Sequence, residues 1–277
     1  MLFFVSVSEH IPMEDDGFEL VTHNRKKTKG RKNNPSDKKL RPGCNDLSRP
    51  EPISDFKEFT NKFKGVCHEV RESGYFENLK DQFQAHFGDD SFDQLVCLGV
   101  GNFSESLQAR FQLALFHCMV EDLLQHDRQK VIIFEPIFTN SEVVFVKNCL
   151  GYDNTSNTSS DNLEGKHQVT SECKTFVFMP HCSKQLTNNL LLVNWEPDKL
   201  EKLVILCNSF DKLCVSQPER LLKEQGASLI LKAAPVCKEI SLYNCFRLTD
   251  VFNDLNLHHF PAPLSGLDQG YFFSVAF

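Results

Sequence analysis

Tryptophan is almost missing from this chain: Trp195 stands alone, beside four tyrosines, in 277 residues. Twenty-five phenylalanines supply nearly all the aromatic volume, and with 41% hydrophobic residues they suffice for a sizeable core. No apolar run approaches the roughly 20 residues of a transmembrane helix, so no membrane association is expected. Met1 to Val7 is apolar but too short for a signal-peptide core, and it runs into Glu9, Glu14, Asp15 and Asp16. Positive charge is also in deficit. A formal net charge of -7 argues against direct nucleic-acid binding, which needs a positive field. The eleven cysteines include no C-x-x-C pair, which excludes a zinc knuckle or a dithiol redox centre of that spacing. Cys97 and Cys207 lie within apolar runs as small hydrophobes, and scattered cysteines of odd count point to a reducing compartment, cytoplasm or nucleus. There is no G-x-S-x-G elbow for a serine nucleophile.

What remains divides at about residue 52. Upstream, Arg25 to Arg41 crowds nine basic side chains into seventeen positions, and prolines punctuate the rest. Such a segment buries too little apolar surface to offset its chain entropy, and it reads as a disordered basic arm. As function it suits a nuclear-import signal or a patch for an acidic partner; as structure it suits a solvated arm. From residue 53 to 277 a single α/β domain is expected. Phe56, Phe59, Phe63, Val66 and Val70 recur at helical spacing, and Phe76, Leu79, Phe83 and Phe87 resume the pattern up to Gly88. Short apolar runs then alternate with helical segments: Leu95–Leu98, Val131–Phe134, Thr175–Met179, Leu203–Cys207 and Ser228–Leu231 as strands, with a last strand near Leu257–Phe260. Residues 153 to 172, rich in Asn and Ser, read as a surface insertion. The alternation predicts a mainly parallel, doubly wound, Rossmann-like sheet flanked by helices.

In such sheets, ligands bind in the crevice at the carboxyl ends of the strands. Four predicted strands end in polar or turn-forming residues there, and these form the candidate ligand-binding set: Gly99, Gly101, Asn102 and Ser104, then Glu135, His181 and Asn208. Gly99-x-Gly101 after a strand and before a helix would place free N–H groups and a positive dipole end at one spot. A dinucleotide fingerprint is incomplete, because the expected acidic residue about 20 positions on is absent and Glu135 comes late. Ser104, His181 and Glu135 are the residue types of a hydrolytic site, yet Ser104 serves better as a helix cap. His181-Cys182 and His258-His259 are adjacent pairs, which point to opposite faces of an extended chain and cannot chelate as a unit. No complete catalytic set results, no metal site is assigned, and the cofactor stays unknown.

The same residues carry a resemblance. Gly99-x-Gly101-Asn102-Phe103-Ser104, Arg110 to Ala114, Glu135-Pro136-x-Phe138, Met179-Pro180-His181-Cys182, Asn194-Trp195, Asn208-Ser209-Phe210 and Phe252-Asn253-Asp254 through Pro261 occur in order. This series resembles the Sensitivity-to-Red-light-Reduced-like family, animal members in particular, over about Phe56 to Pro261. The Gly17 to Lys32 segment shares in it, which offers Met13 as an alternative start. The resemblance implies a regulatory protein of circadian-clock input and haem biosynthesis, acting through an unidentified protein partner or small ligand, and no established enzymatic activity. Ser183 replaces the proline that relatives often carry after the His-Cys pair, so a haem-type Cys-Pro is lacking. The alternative is a methyltransferase-type transferase using a nucleotide-containing cofactor, with Glu135 on its ribose. A crevice closed by Phe103 and Phe138 favours the regulator, and an open one lined by Glu135 favours the enzyme.

Overall fold

The computed structural model describes residues 53–88, 90–158, 165–266 and 269–273. The basic arm, residues 1–52, and part of the Asn/Ser-rich segment lie outside the described residues. Two helices open the domain, α1 (Phe56–Arg71) and α2 (Gly74–Phe87). Each is started by a side chain that accepts from its first turn, Asp55 for α1 and Ser73 for α2, and Gly88 at φ 54° ends the second. Their phenylalanine stripes face inward: Phe63, Phe76, Phe83 and Phe87 are buried.

Seven strands form one sheet: β1 (Gln94–Leu98), β2 (Ile132–Phe134), β3 (Asn154–Ser156), β4 (Thr175–Met179), β5 (Leu203–Asn208), β6 (Lys238–Ser241) and β7 (Leu255–His259). Their order is β3-β2-β1-β4-β5-β7-β6. The first five run parallel, and β7 lies antiparallel to both β5 and β6. All five residues of β4 are buried, as a parallel strand covered on both faces requires. The connecting helices are α3 (Leu107–Cys118), α4 (Asn140–Asn148), α5 (Lys184–Val193), α6 (Pro197–Leu200), α7 (Phe210–Ser216), α8 (Glu219–Glu224) and α9 (Ser228–Ala233), with α10 (Gln269–Phe273) near the end. One face of the sheet packs with α1 to α4 around Phe63, Phe103, Phe111 and Phe145. The other packs with α5, α7 and α9 around Val177, Leu190, Phe210 and Ile230.

Three expectations are corrected. Ser228–Leu231 is not a strand; it opens α9, because Leu229, Ile230 and Ala233 together form a buried helical stripe. The strand beside β7 is instead Lys238–Ser241, an edge strand with one buried residue, too polar to stand out in sequence. The polar insertion contributes β3, whose backbone pairs with β2 and closes the opposite edge. Among the described residues no helix is long and apolar enough to cross a membrane.

Candidate functional site

The order β3-β2-β1-β4-β5 reverses direction between β1 and β4, the switch point at which a doubly wound sheet opens a crevice. The sequence-predicted residues gather along this carboxyl edge, but in two separate groups.

The first group surrounds the glycine turn after β1. Gly99 and Gly101 have φ of 70° and 84°, which side chains rarely adopt. Gly99 is also required by space: a Cβ there would lie 2.3 Å from Cys182 Sγ. Gly101 N–H donates to Glu135 Oε2 at 2.7 Å, and Ile137 N–H to Glu135 Oε1 at 3.1 Å. Asn102 Oδ1 accepts from the Ser104 hydroxyl and from Glu105 N–H, so it braces the turn. Ser104 does not cap α3; Ser106 does, accepting from Ala109 N–H. A second carboxylate, not singled out from sequence, completes this group. Glu142 is fully buried, and its Oε1 accepts from Ser104 N–H at 2.8 Å. Its Oε2 accepts from Thr139 N–H, closing a capping box at the start of α4. Its only sequence signal is Thr139-x-x-Glu142, which announces a cap and not a burial.

The electrostatics follow from these contacts. Burial raises the Glu135 carboxyl above its ordinary value; the N–H groups of Gly101 and Ile137 oppose this, and Glu142 reinforces it. Burial likewise pushes the Cys182 thiol up to about 12, with Glu135 adding to the effect, so this cysteine is no nucleophile. Phe103 and Phe138 fill the remaining space, 0% and 3% exposed, with rings edge to face at 5.3 Å. The aromatic rings close the turn, and the N–H groups of Gly99, Gly101 and Ser104 are occupied from within by the Phe134 carbonyl, Glu135 and Glu142.

The second group lies on the far side of β1. His181 follows β4 in a left-handed conformation, φ 52°, and its ring meets Asn208 at the end of β5. Its Nε2 lies 3.2 Å from the carbonyl of Val251, which can only accept, so Nε2 carries the proton. Nδ1 is then an acceptor, and Asn208 Nδ2 donates to it at 3.2 Å. Burial lowers the His181 pKa, in keeping with this neutral tautomer. His181 and Asn208 line a cavity of about 780 Å³ between the first turn of α5, α7 and α9. Phe210, Leu213 and Ile230 give it an apolar wall, and Lys184, Lys212, Asp211 and Asp254 stand around it. The size falls within the usual range of small-molecule sites.

Beside the cavity, Glu239 of β6 tethers α7. Its Oε2 accepts from the N–H groups of Phe210 and Asp211 at 2.9 and 3.0 Å. Burial pushes the Glu239 carboxyl up, but His258, the Ser209 hydroxyl and the Asp211 N–H together outweigh it and hold it at about 2. His258 lies inside, its ring 4.2 Å from that of Phe210, while His259 turns to the opposite face against Phe87. The pairing of His258 with Glu239 depends on β6, which sequence reasoning missed. Among the described residues no group of three or more His, Cys, Asp or Glu could hold a metal ion.

The SRR1 domain model matches residues 79–259. An "SRR1-like protein" of Drosophila melanogaster is 28% identical over 218 residues, which is 76% of this chain and 71% of that protein. An "SRR1-like protein" of Mus musculus is 37% identical over 129 residues, 47% of this chain and 49% of the relative. The "Protein SENSITIVITY TO RED LIGHT REDUCED 1" of Arabidopsis thaliana is 27% identical over 143 residues, 50% of this chain and 49% of the relative. The matched regions thus span about half the length of the mouse and Arabidopsis proteins. No solved structure matches. With the domain matched from within α2 to the end of β7, this chain belongs to the SRR1 domain family.

Proposed function

We propose that this chain is a regulatory protein of clock and light-type signalling and of haem-biosynthesis control, responding to a small ligand or protein partner. The response site is the cavity at the carboxyl ends of β4 and β5. The observation that carries the reading is the division of the sheet edge. The glycine turn, where a nucleotide phosphate would sit, has its Gly101 and Ser104 amides taken by Glu135 and Glu142. The open volume lies instead beside His181 and Asn208. That volume offers fixed hydrogen-bonding groups and an apolar wall, and among its described lining residues no serine or cysteine is paired with a histidine base. Binding without turnover is the chemistry these residues support. The name of the Arabidopsis relative, which refers to red-light sensitivity, supports the signalling context. The protein acts in cytoplasm and nucleus, with the Arg25 to Arg41 segment as its import signal, and contacts no nucleic acid or membrane.

A second reading keeps one favourable observation. Glu135 closes β2 directly beside the glycine turn of β1, where a carboxylate reads a cofactor ribose in dinucleotide folds. A transferase would need that ribose to displace Gly101 N–H from Glu135. A thermal-shift screen of the full chain against S-adenosylmethionine, NAD and haem separates the readings. Ser216 is exposed and lines the cavity, so Ser216→Trp narrows it without entering the core. A compound that stabilises the parent chain but not Ser216→Trp supports the regulatory cavity. Stabilisation by S-adenosylmethionine that survives Ser216→Trp and disappears in Glu135→Gln refutes it in favour of the transferase.

A further inference from the structure

Lys184 has an unusual electrostatic setting. It is the first residue of α5, a helix of ten residues with no acidic residue in its first turn. A cation at that end opposes the helix dipole, where a carboxylate would be favoured. The ammonium is not neutralised either. Nζ donates to two neutral acceptors, Gln217 Oε1 and Gln225 Oε1, both at 2.7 Å, and among the described residues no carboxylate reaches ion-pair distance. The other lysine of the cavity, Lys212, is paired with Asp254. A half-buried positive charge and the positive end of a helix therefore converge on one side of the cavity; the neutral Ser183 hydroxyl caps the helix by accepting from Leu186 N–H, and among the described residues no carboxylate is bonded to either. Departures of this kind from local preference concentrate at functional sites.

The opposite side is built differently. Phe210, Leu213 and Ile230 present apolar surface. Asn208 spends a side-chain N–H on His181, which fixes its amide and leaves the carbonyl oxygen as an acceptor. We propose that the cavity binds an amphipathic organic anion: its acidic group on Lys184 and the first turn of α5, its apolar body against Phe210, Leu213 and Ile230. This rests on the reading of the cavity as the response site and adds the chemical class of its ligand. A nucleotide polyphosphate is disfavoured, because Asp211 and Asp254 stand around the same cavity and Lys184 is the one cation there without an acidic partner among the described residues.

Two probes of matched shape test it: the anion 1-anilinonaphthalene-8-sulfonate and the uncharged N-phenyl-1-naphthylamine, each titrated into the folded full chain by fluorescence. The anion should bind saturably at one site and more tightly, and added salt should weaken it selectively. Lys184→Gln should raise the Kd of the anion about tenfold, as for loss of one charge-assisted hydrogen bond, and leave the neutral probe unchanged. Lys184→Arg should retain the preference, and Ser216→Trp should remove saturable binding of both. Equal affinity for the two probes, with Lys184→Gln indifferent, would overturn the anion assignment while leaving the cavity a binding site. Failure of both probes to saturate, or binding untouched by Ser216→Trp, would remove the response cavity and this proposal together.

Discussion

Replacing Glu135 by glutamine tests whether the glycine turn is held by its own carboxylate. Glu135 is 4% exposed, and each of its oxygens accepts from a different backbone N–H, Gly101 or Ile137. Glutamine keeps the shape but turns one acceptor into a donor, so one N–H faces an NH2 group without a partner. Losing a charge-assisted bond and stranding a buried donor costs ~1.5–3 kcal/mol. Part of this is returned, because the charged carboxylate is itself opposed by burial and by Glu142. A net loss of about 1–2 kcal/mol remains, which for a domain of this size lowers the unfolding midpoint by roughly 2–8 °C. The effect also has a pH signature. A carboxyl whose folded pKa is raised stabilises the protein below its unfolded value of 4.5 and loses that contribution as pH rises through the folded value. The parent chain therefore gains from Glu135 on mild acidification and the variant does not, so the deficit is larger near pH 5 than at pH 7. Thermal unfolding of both proteins by circular dichroism at the two pH values measures it, and histidine titrations common to both cancel. An unchanged midpoint, or a deficit that shrinks on acidification, would refute the reasoning.

Two further outcomes follow from the same geometry. Gly99→Ala should cost about 2–3 kcal/mol or more, because left-handed strain adds to a Cβ that lies 2.3 Å from Cys182 Sγ. Gly101→Ala, with 3.5 Å to Ala109 Cβ, should cost only about 1 kcal/mol from strain, and Cys182→Ala should partly rescue the former alone in chemical denaturation. His117, bonded through Nδ1 to the Tyr152 hydroxyl at 2.8 Å, is held by burial at about 4. A lowered histidine stabilises above its unfolded 6.5 and loses this as pH falls through the folded value, an effect that Glu121, 3.4 Å from Nε2, partly offsets. In urea titrations across that window, His117→Phe should show a shallower acid loss.

The sheet was legible where burial leaves its mark on composition. Thr175–Met179 and Leu203–Cys207 are apolar throughout because helices cover both faces. Lys238–Ser241 and Asn154–Ser156 were not legible, since an edge strand is held mostly by backbone bonds that any residue makes. The run at Ser228–Leu231 is too short for periodicity to separate strand from helix, and only its packing on α5 decides it. The same boundary applies to the site. That Glu135 meets the glycine turn follows from adjacent strands ending at one edge. That His181 turns to Asn208 depends on the Val251 carbonyl, which is supplied by a segment seventy residues away. Lys184 gave no signal at all, because its meaning lies in a carboxylate that no neighbour among the described residues provides.

The central claim is that the working site is the cavity of His181 and Asn208 and not the glycine turn. Cells lacking this protein, complemented with the full chain or with Ser216→Trp, test it directly through the period of a clock-gene luciferase reporter and the rate of haem synthesis. The parent chain should restore both readouts; Ser216→Trp, at equal abundance and with an unchanged unfolding midpoint, should restore neither. Full restoration by Ser216→Trp would contradict the account.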